Sequence, residues 1–220
     1  GSDLLTRSSW RISNRVSQSS AWLDGHFRSW REANAVVAPD GRMVMMIRAE
    51  AGDLVGFHST AAMVTVSDDG ITAEFDPETG FVPTPGAVGK KFTVRYDETS
   101  RRYWSVGNPV VKQDLAYIEQ PFHTPAGKRV TAGALRNCLG VSSSPDLHRW
   151  TVHHVIAYHP YDGVHGFQYP DFVFDQDDLL VVSRTSFDDG LGGAAAAHDA
   201  NLMTFHRVEQ FRRLQELAVE

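Results

Sequence analysis

The chain has 220 residues, of which 42% are apolar and 22% are charged, and its formal net charge is −6. Lysines and arginines never occur more than two in a row, which argues against a nucleic-acid surface, because phosphate binding needs clustered positive charge. Cys138 is the single cysteine, so the chain forms no internal disulfide, and a thiolate metal site is not expected.

Short alternating or apolar runs recur along the chain and are separated by acidic and glycine turns, which is typical of an all-β protein. The first predicted hairpin, AVVAPDGRMVMMIR, turns at Pro39, Asp40 and Gly41, and the second, AAMVTVSDDGITAEF, turns at Asp69 and Gly70. The same two hairpin types then recur. In chain order, the predicted hairpins cover 35–48, 61–75, 91–107, 137–159, 168–186 and, in truncated form, 201–211.

Four strands in roughly 45 to 70 residues favour a β-propeller of four-stranded antiparallel blades. The predicted blades lie at 30–76, 90–159 and 165–211, and residues 212–220 are predicted as a C-terminal tail. Because SDLLTRSSW near the N-terminus resembles SSSPDLHRW at 142–150, residues 3–16 are predicted as the outer strand of a preceding blade. Three blades cannot close a ring, so we expect part of a five- or six-bladed propeller. Another chain segment or a second copy would supply the missing blades.

One end of every predicted blade collects polar side chains, while the other end carries plain turn sequences. The starts of strands 1 and 3 and the end of strand 2 lie at the same end of an antiparallel blade, so these side chains should converge on one rim. The candidate site residues are Trp30, Glu32, Asn34, Arg48, Lys91, Arg136, Asn137, His165, Gln168, Tyr169, Asp171, Arg184, His198, Asp199 and Asn201. No spacing matches a known metal motif, and neither a metal nor a cofactor is predicted.

Several segments resemble bacterial sialidase-like propeller proteins, the exo-α-sialidase or BNR-repeat glycosyl hydrolases. These segments are EANAVV, KKFTVRYD, SSPDLHRWTV, HGFQYPDFVFDQDDLLVVSRTSFDDGLGG and HDANLMTFHRVEQF. The resemblance covers almost the whole chain and is most specific from His165 to Arg207. SDDGITAEF and SPDLHRW keep the serine, the acid and the aromatic residue of the Asp-box S-x-D-x-G-x-x-W, but they do not keep its spacing.

The resemblance implies roles for five of the candidates. Arg48, Arg136 and Arg184 would bind a substrate carboxylate, a task that suits the guanidinium fork. Tyr169 would be the nucleophile, and Glu32 would be the base that accepts its proton. The aspartate that serves as acid/base in the family's first blade has no counterpart in this sequence.

Three hypotheses about function remain open at this point. The leading one is an exo-acting glycoside hydrolase that removes a terminal acidic or deoxy sugar, using either Tyr169 with Glu32 or the carboxylate pair Glu32 and Asp171. The second is a polysaccharide lyase, in which Tyr169 or His165 removes the proton α to a uronate carboxylate. The third is a non-catalytic glycan-binding propeller, in which the same cluster only recognises sugar.

The expected partner is therefore a carbohydrate, with neither nucleic acid nor membrane involved. No apolar run approaches the roughly 20 residues that span a bilayer. The sequence does not determine localisation. Gly1 and Ser2 resemble the remnant of a cleaved tag, and a secreted or periplasmic location is expected if the natural N-terminus was removed.

Overall fold

The structure, a computed structural model, describes residues 3–51, 59–119 and 130–216. It confirms the predicted all-β class, because its strands form three antiparallel sheets and its helices are few and short. The described helices are α1 (Trp22–Gly25), α2 (Lys112–Glu119) and three 3-10 turns at Arg7–Ser9, Ala132–Ala134 and Phe211–Arg213. Within the described ranges, no helix has the length and hydrophobicity that a membrane span requires.

The first sheet has the strand order β1-β2-β3-β4, and β5 also pairs with β3. Its strands are β1 (Phe27–Val37), β2 (Met43–Ala51), β3 (Thr60–Val66), β4 (Ala73–Glu74) and β5 (Phe81–Pro83). The predicted turn between β1 and β2 is present: Gly41 has a φ of +85°, and Asp40 accepts the backbone N–H of Arg42 at 3.1 Å.

The second sheet has the order β6-β7-β8-β9. Its strands are β6 (Thr93–Asp97), β7 (Arg102–Gly107), β8 (Cys138–Ser144) and β9 (Thr151–Tyr158). Every residue of β8 is buried, which fits its central position in the sheet, and α2 lies in the long connection before it.

The third sheet has the order β10-β11-β12. Its strands are β10 (Gly166–Asp175), β11 (Asp178–Ser186) and β12 (Leu202–Val208). The predicted truncated hairpin at 201–211 is thus one strand followed by a 3-10 turn. Val181 of β11 lies inside the protein and Val182 lies outside, as expected for a sheet with one covered face.

The two Asp-box-like segments form equivalent turns in the first and second sheets. Between β3 and β4, Asp69 bonds to the Ser67 hydroxyl at 2.6 Å and accepts a backbone N–H at 3.0 Å. Between β8 and β9, Asp146 bonds to the Ser144 hydroxyl at 3.2 Å and likewise accepts a backbone N–H at 3.0 Å. The two turns therefore share one pattern of hydrogen bonds, in which an aspartate holds a serine hydroxyl and a backbone N–H.

Residues 3–16 differ from the prediction that they form an outer strand of a preceding blade. Arg7–Ser9 is a 3-10 turn, and no residue from 3 to 16 belongs to a strand. The Asn14 side chain instead bonds to the backbone N–H of Ala73 at 2.7 Å and to its carbonyl at 3.0 Å. The Asn14 side chain thus makes the hydrogen bonds to β4, at the outer edge of the first sheet, that a further strand would otherwise make.

Two apolar cores join the three sheets. Met46, Phe92 and Leu147 belong to the core that includes strands of the first and second sheets. Phe172 and Phe211 belong to the core that includes the second and third sheets. Burying each large side chain of this kind contributes about 1.5–3 kcal/mol to the hydrophobic stabilisation.

The first strands of the three sheets are also neighbours, since β1 contacts β6 and β6 contacts β10. The Asn34 side chain joins β1 to the second sheet by bonds to the Phe92 carbonyl at 3.1 Å and the Val94 N–H at 3.2 Å. The Thr93 hydroxyl joins β6 to the third sheet through the Pro170 carbonyl at 2.7 Å. The start of β6 therefore lies between the second half of β1 and the middle of β10.

Candidate functional site

A cavity of about 480 Å³ lies where the three sheets meet. Arg48 enters it from the end of β2, Arg136 from the residues just before β8, and His198 from the residues just before β12. These are rim positions predicted from the sequence. A larger cavity of about 810 Å³ lies at the turn end of β1, next to Pro39 and Gly41. We take the smaller cavity as the candidate site because two nearly buried guanidinium groups line it.

Arg48 and Arg136 give the cavity its positive charge, and both side chains are largely buried. Arg48 pairs with Glu32 at 3.2 Å and, by a very short contact, with Glu50. Arg136 donates one hydrogen bond to the Gly89 carbonyl at 3.0 Å, while its other terminal nitrogen, Nη1, is buried and has no hydrogen-bond partner among the described residues. A buried donor without a partner costs about 1–3 kcal/mol, so this atom is poised for a ligand acceptor.

Burial and the neighbouring charge of Arg48 together lower the pKa of Arg136 to about 10. The charges of Tyr169, Glu50 and Glu32 act in the opposite direction on this pKa. The group remains protonated at neutral pH. An anion in the cavity would therefore meet a largely buried cation that forms no salt bridge with a carboxylate of the described residues.

Tyr169 lies on a bulge of β10, and its hydroxyl is one of the groups that lower the pKa of the Glu32 carboxyl. The pairing of β10 with β11 is interrupted between Gln168 and Asp171, and Tyr169 adopts a φ of +47°. A non-glycine residue in this region costs of order 1–3 kcal/mol, and such strain is typical of functional sites. The guanidinium carbon of Arg184 lies 5.0 Å from the centre of the Tyr169 ring.

The Glu32 carboxylate is held in its ionised form. Burial alone would raise its pKa, but its backbone hydrogen bond, the charge of Arg48 and the hydrogen bonds from Arg48 and Tyr169 lower it on balance. Glu32 therefore offers an ionised acceptor to the Tyr169 hydroxyl. Neither residue lines the cavity itself; they border it through Arg48 and through His198, whose ring centre is 6.4 Å from that of Tyr169.

The structure thus brings six predicted residues together: Glu32, Arg48, Arg136, Tyr169, Arg184 and His198. Burial is the main cause of the lowered pKa of His198, followed by the charges of Arg136 and Arg184. Asp199 is the acidic neighbour that opposes this shift. The Arg184 guanidinium also bonds to the His198 carbonyl at 3.2 Å, which fixes it against the loop before β12.

Lys91 and Asp171 lie at the edge of this cluster. The Lys91 amine bonds to the Pro170 carbonyl at 3.1 Å, and both Asp171 and Glu32 raise its pKa, although burial lowers that pKa overall. Asp171 pairs with Arg95 at 3.1 Å and has half of its side chain in solvent. The Lys91 ammonium group interacts with both carboxylates, so Glu32 and Asp171 do not form an isolated acid/base pair.

Four amide side chains predicted to bind substrate hydrogen-bond to other groups of the chain instead. Asn34 joins β1 to β6, as described above. Asn137 bonds to Asp114 and to the His159 carbonyl, both at 2.8 Å, Gln168 bonds to the Ala197 carbonyl, and Asn201 bonds to the Phe187 carbonyl at 2.8 Å. Polar groups that a fold buries find internal partners, and these partners come from loops that are distant in the sequence.

Trp30 and His165 are also placed outside the cluster. The Trp30 ring packs against Trp22 at 5.8 Å and Phe75 at 5.2 Å in an aromatic group of the first sheet. His165 bonds to Asp162 through Nδ1 and lies 4.2 Å from the His159 ring, measured between ring centres. The structure therefore gives neither residue a place beside Tyr169.

Glu50 and Gly89 were not predicted and belong to the site. Arg48 and Glu50 are two residues apart on β2, so they point to the same face, and this alternation could have identified Glu50. Gly89 has a φ of +63°, and a Cβ there would lie 2.8 Å from the Gly133 Cα, so only glycine fits this wall of the cavity. Lys90 faces inward instead: it is fully buried, its pKa falls to about 7 through burial, and it donates to the Leu135 carbonyl.

No protein family model and no curated protein matches this chain. Among solved structures, a Trypanosoma rangeli sialidase in complex with sialic acid is similar at 12% identity and a TM-score of 0.45, over 82% of this chain and 23% of that one. An α-L-arabinofuranosidase from Fusarium graminearum in complex with an iminosugar inhibitor is similar at 10% identity and a TM-score of 0.43, over 75% of this chain and 42% of that one. This chain spans less than half the length of either, and a similarity of this strength assigns neither a family nor a reaction.

Proposed function

We propose that the chain carries the active site of an exo-acting glycoside hydrolase of the sialidase-like propeller type, with Tyr169 as the nucleophile and Glu32 as its base. The observation that supports this proposal best is the position of Tyr169 on a strained bulge, with the Arg184 guanidinium 5.0 Å from its ring centre and its hydroxyl among the groups that lower the pKa of Glu32. A nucleophile, a base and a group that orients the base are the parts that covalent catalysis needs. Here Arg48 orients the Glu32 carboxylate.

In the proposed reaction, the Tyr169 oxygen attacks the anomeric carbon while the phenolic proton moves to Glu32. The bond to the glycosidic oxygen breaks, and the leaving group takes a proton from solvent. Water then attacks the anomeric carbon and gives its proton to solvent, while the glycosyl–tyrosine bond breaks and Glu32 returns its proton to the Tyr169 oxygen. Arg184, over the Tyr169 ring, stabilises the negative charge that develops on the phenol oxygen. The bulge holds the Tyr169 backbone at a φ of +47°, at the point where the pairing of β10 with β11 is interrupted.

The proposed substrate ends in an acidic sugar. Arg48 and Arg136 present guanidinium groups to a cavity whose volume lies within the usual range of about 300–1,000 Å³ for small-molecule sites. A substrate carboxylate would supply the acceptor that Nη1 of Arg136 lacks. A neutral sugar would leave this donor unpaired, so the site should favour the acidic sugar.

Aryl glycosides test this proposal directly, because a nitrophenolate or umbelliferone leaves without needing a proton from the enzyme. The panel should contain an aryl sialoside, an aryl uronide and neutral aryl glycosides. With an acidic substrate, Tyr169→Phe should lower kcat about 10³-fold or more and Glu32→Gln about 10²-fold, since each removes a group that acts in the transition state. Tyr96→Phe, an exposed tyrosine near the other cavity, is the matched control and should leave kcat unchanged.

Three outcomes would contradict the proposal. Full activity in Tyr169→Phe would remove the nucleophile. Release of an unsaturated product from a polyuronate would identify a lyase. A large loss of turnover in Asp171→Asn, without one in Tyr169→Phe, would instead favour a mechanism with two carboxylates.

A further inference from the structure

The loop between β9 and β10 places two histidines and an aspartate around one point. His159, Asp162 and His165 are spaced three residues apart, and one ligand atom of each lies within 4.8 Å of the others. Asp162 Oδ2 lies 3.5 Å from Nδ1 of His159 and is hydrogen-bonded to Nδ1 of His165. Three ligands at about 2.0–2.1 Å from a tetrahedral ion are about 3.3 Å apart, so small side-chain shifts would enclose a metal.

The carboxylate is already oriented for this role. Asp162 Oδ1 accepts the backbone N–H groups of Val164 at 2.8 Å and His165 at 2.9 Å. These bonds direct Oδ2 toward both rings. Nδ1 of His159 also lies 2.7 Å from the Pro160 carbonyl oxygen, and metal binding would take this nitrogen in its unprotonated form.

A second carboxylate, from a different loop, supports the far side of His165. Asp188 Oδ1 lies 3.4 Å from Nε2 of His165, a nitrogen that is buried and has no hydrogen-bond partner among the described residues. Histidines that bind a metal through one nitrogen almost always donate the other N–H to a carboxylate or carbonyl. The contact with Asp188 is therefore the arrangement expected around a metal-binding histidine.

We propose that His159, Asp162 and His165 bind a divalent transition metal of the zinc class, with Asp188 orienting His165. Two imidazoles and one carboxylate suit zinc and neighbouring metals, whereas calcium and magnesium prefer ligand sets made only of oxygen. Solvent would complete the coordination, because about a third of the Asp162 and His159 side chains is exposed.

The position of the site gives the metal a structural role beside the cavity. Tyr161 and Gly163, from the same loop, line the cavity with Arg48 and Arg136. Asp188 begins the loop whose later residue Ala197 donates its backbone N–H to the Gly163 carbonyl at 2.9 Å. A metal would therefore join two loops of the cavity wall. This inference does not depend on the proposed hydrolase reaction.

The test uses the full chain without an affinity tag, after treatment with a chelator. Titration calorimetry with Zn²⁺ should show one ion per chain, and Co²⁺ should give the visible absorption of a low-coordinate histidine site. His159→Ala and Asp162→Asn should each abolish binding or weaken it at least 10-fold. Asp188→Asn should keep the stoichiometry but weaken binding about 10-fold or more, because it removes only the orienting group.

His148→Ala is the matched control, since His148 is an exposed histidine on a different turn, and its binding should equal that of the unaltered chain. Circular dichroism and thermal unfolding in chelator should show that His159→Ala remains folded. Zinc binding that survives both His159→Ala and Asp162→Asn would overturn the proposal. So would the absence of stoichiometric binding, or displacement of zinc by equimolar Ca²⁺.

Discussion

At the scale of single residues, the Asp97–Arg212 pair ties the C-terminal segment to the second sheet. Two nitrogens of the Arg212 guanidinium lie 2.8 Å from the two oxygens of Asp97, and the Ser100 N–H adds a bond at 2.9 Å. The Asp97 side chain is only 5% exposed. Arg212 is the largest cause of the lowered pKa of Asp97, about 2.

The Asp97 carboxylate should therefore stabilise the fold above about pH 4, and this contribution should disappear as the pH falls toward 2. The folded pKa is below the unfolded value of 3.8, so the folded state favours the ionised form. The shift corresponds to about 2 kcal/mol. We expect Asp97→Asn to lower the free energy of unfolding in urea by about 2 kcal/mol at pH 7, with a difference that shrinks in acid. Glu98→Gln, at the exposed neighbouring position, should change little, and a difference independent of pH would contradict this explanation.

At the scale of elements, the loop before β6 and the loop before β8 form one wall of the cavity where Gly89 meets Gly133. Gly89 donates its N–H to the Ala49 carbonyl at 3.0 Å, and its own carbonyl accepts the bond from Arg136. The backbone of this wall therefore positions the guanidinium. The two loops can approach this closely only because both residues are glycines: a Cβ on either one would press against the Cα of the other.

Gly89→Ala should destabilise the chain more than Gly41→Ala. Both positions have a positive φ, which costs alanine about 1–2 kcal/mol. Only at Gly89 would the new Cβ also press on the Gly133 backbone, since a Cβ at Gly41 meets nothing within 4 Å. We expect a loss of about 1 kcal/mol for Gly41→Ala and at least twice that for Gly89→Ala in urea unfolding. Equal losses of unfolding free energy in the two variants would show that the Gly133 backbone can move away from the new Cβ without an energetic cost.

At the scale of the whole molecule, the outer face of the third sheet is apolar and exposed. Phe205 lies opposite Val182 in the β11–β12 pairing, and these side chains are 63% and 38% exposed. Met203 and Val173 extend the same exposed apolar set. In the described chain, β12 pairs only with β11, so its other edge presents unpaired backbone groups.

This edge should make the chain self-associate, and a charge on it should reduce the association. We expect Phe205→Lys to lower concentration-dependent light scattering with little change in thermal unfolding, because the side chain is exposed in the fold. Leu191→Lys adds the same charge at a 92% exposed loop position and serves as the control. If both variants reduce scattering equally, net charge rather than the edge strand is responsible.

The strand pairing was largely predictable from the sequence, because turns and hydrophobic alternation are local. The turns at Gly41 and Gly70 separate the strands where expected, and each sheet lies mostly within one of the segments predicted as blades. The N-terminal segment was not predictable in this way. Asn14 bonds to Ala73, 59 residues away, and an amide partner at that distance leaves no periodic signal.

The sequence by itself determined the all-β class, the hairpins and the set of polar residues at one end of them, because backbone propensity and side-chain alternation act between near neighbours. Only the tertiary structure decided which of these polar residues meet. The Tyr169 hydroxyl of the third sheet lowers the pKa of Glu32 in the first sheet, whereas Asn34, Asn137 and Gln168 donate to backbone carbonyls of other segments. The physical reason is that a buried polar side chain bonds to whatever partner packing brings within about 3 Å, and packing is a property of the whole chain.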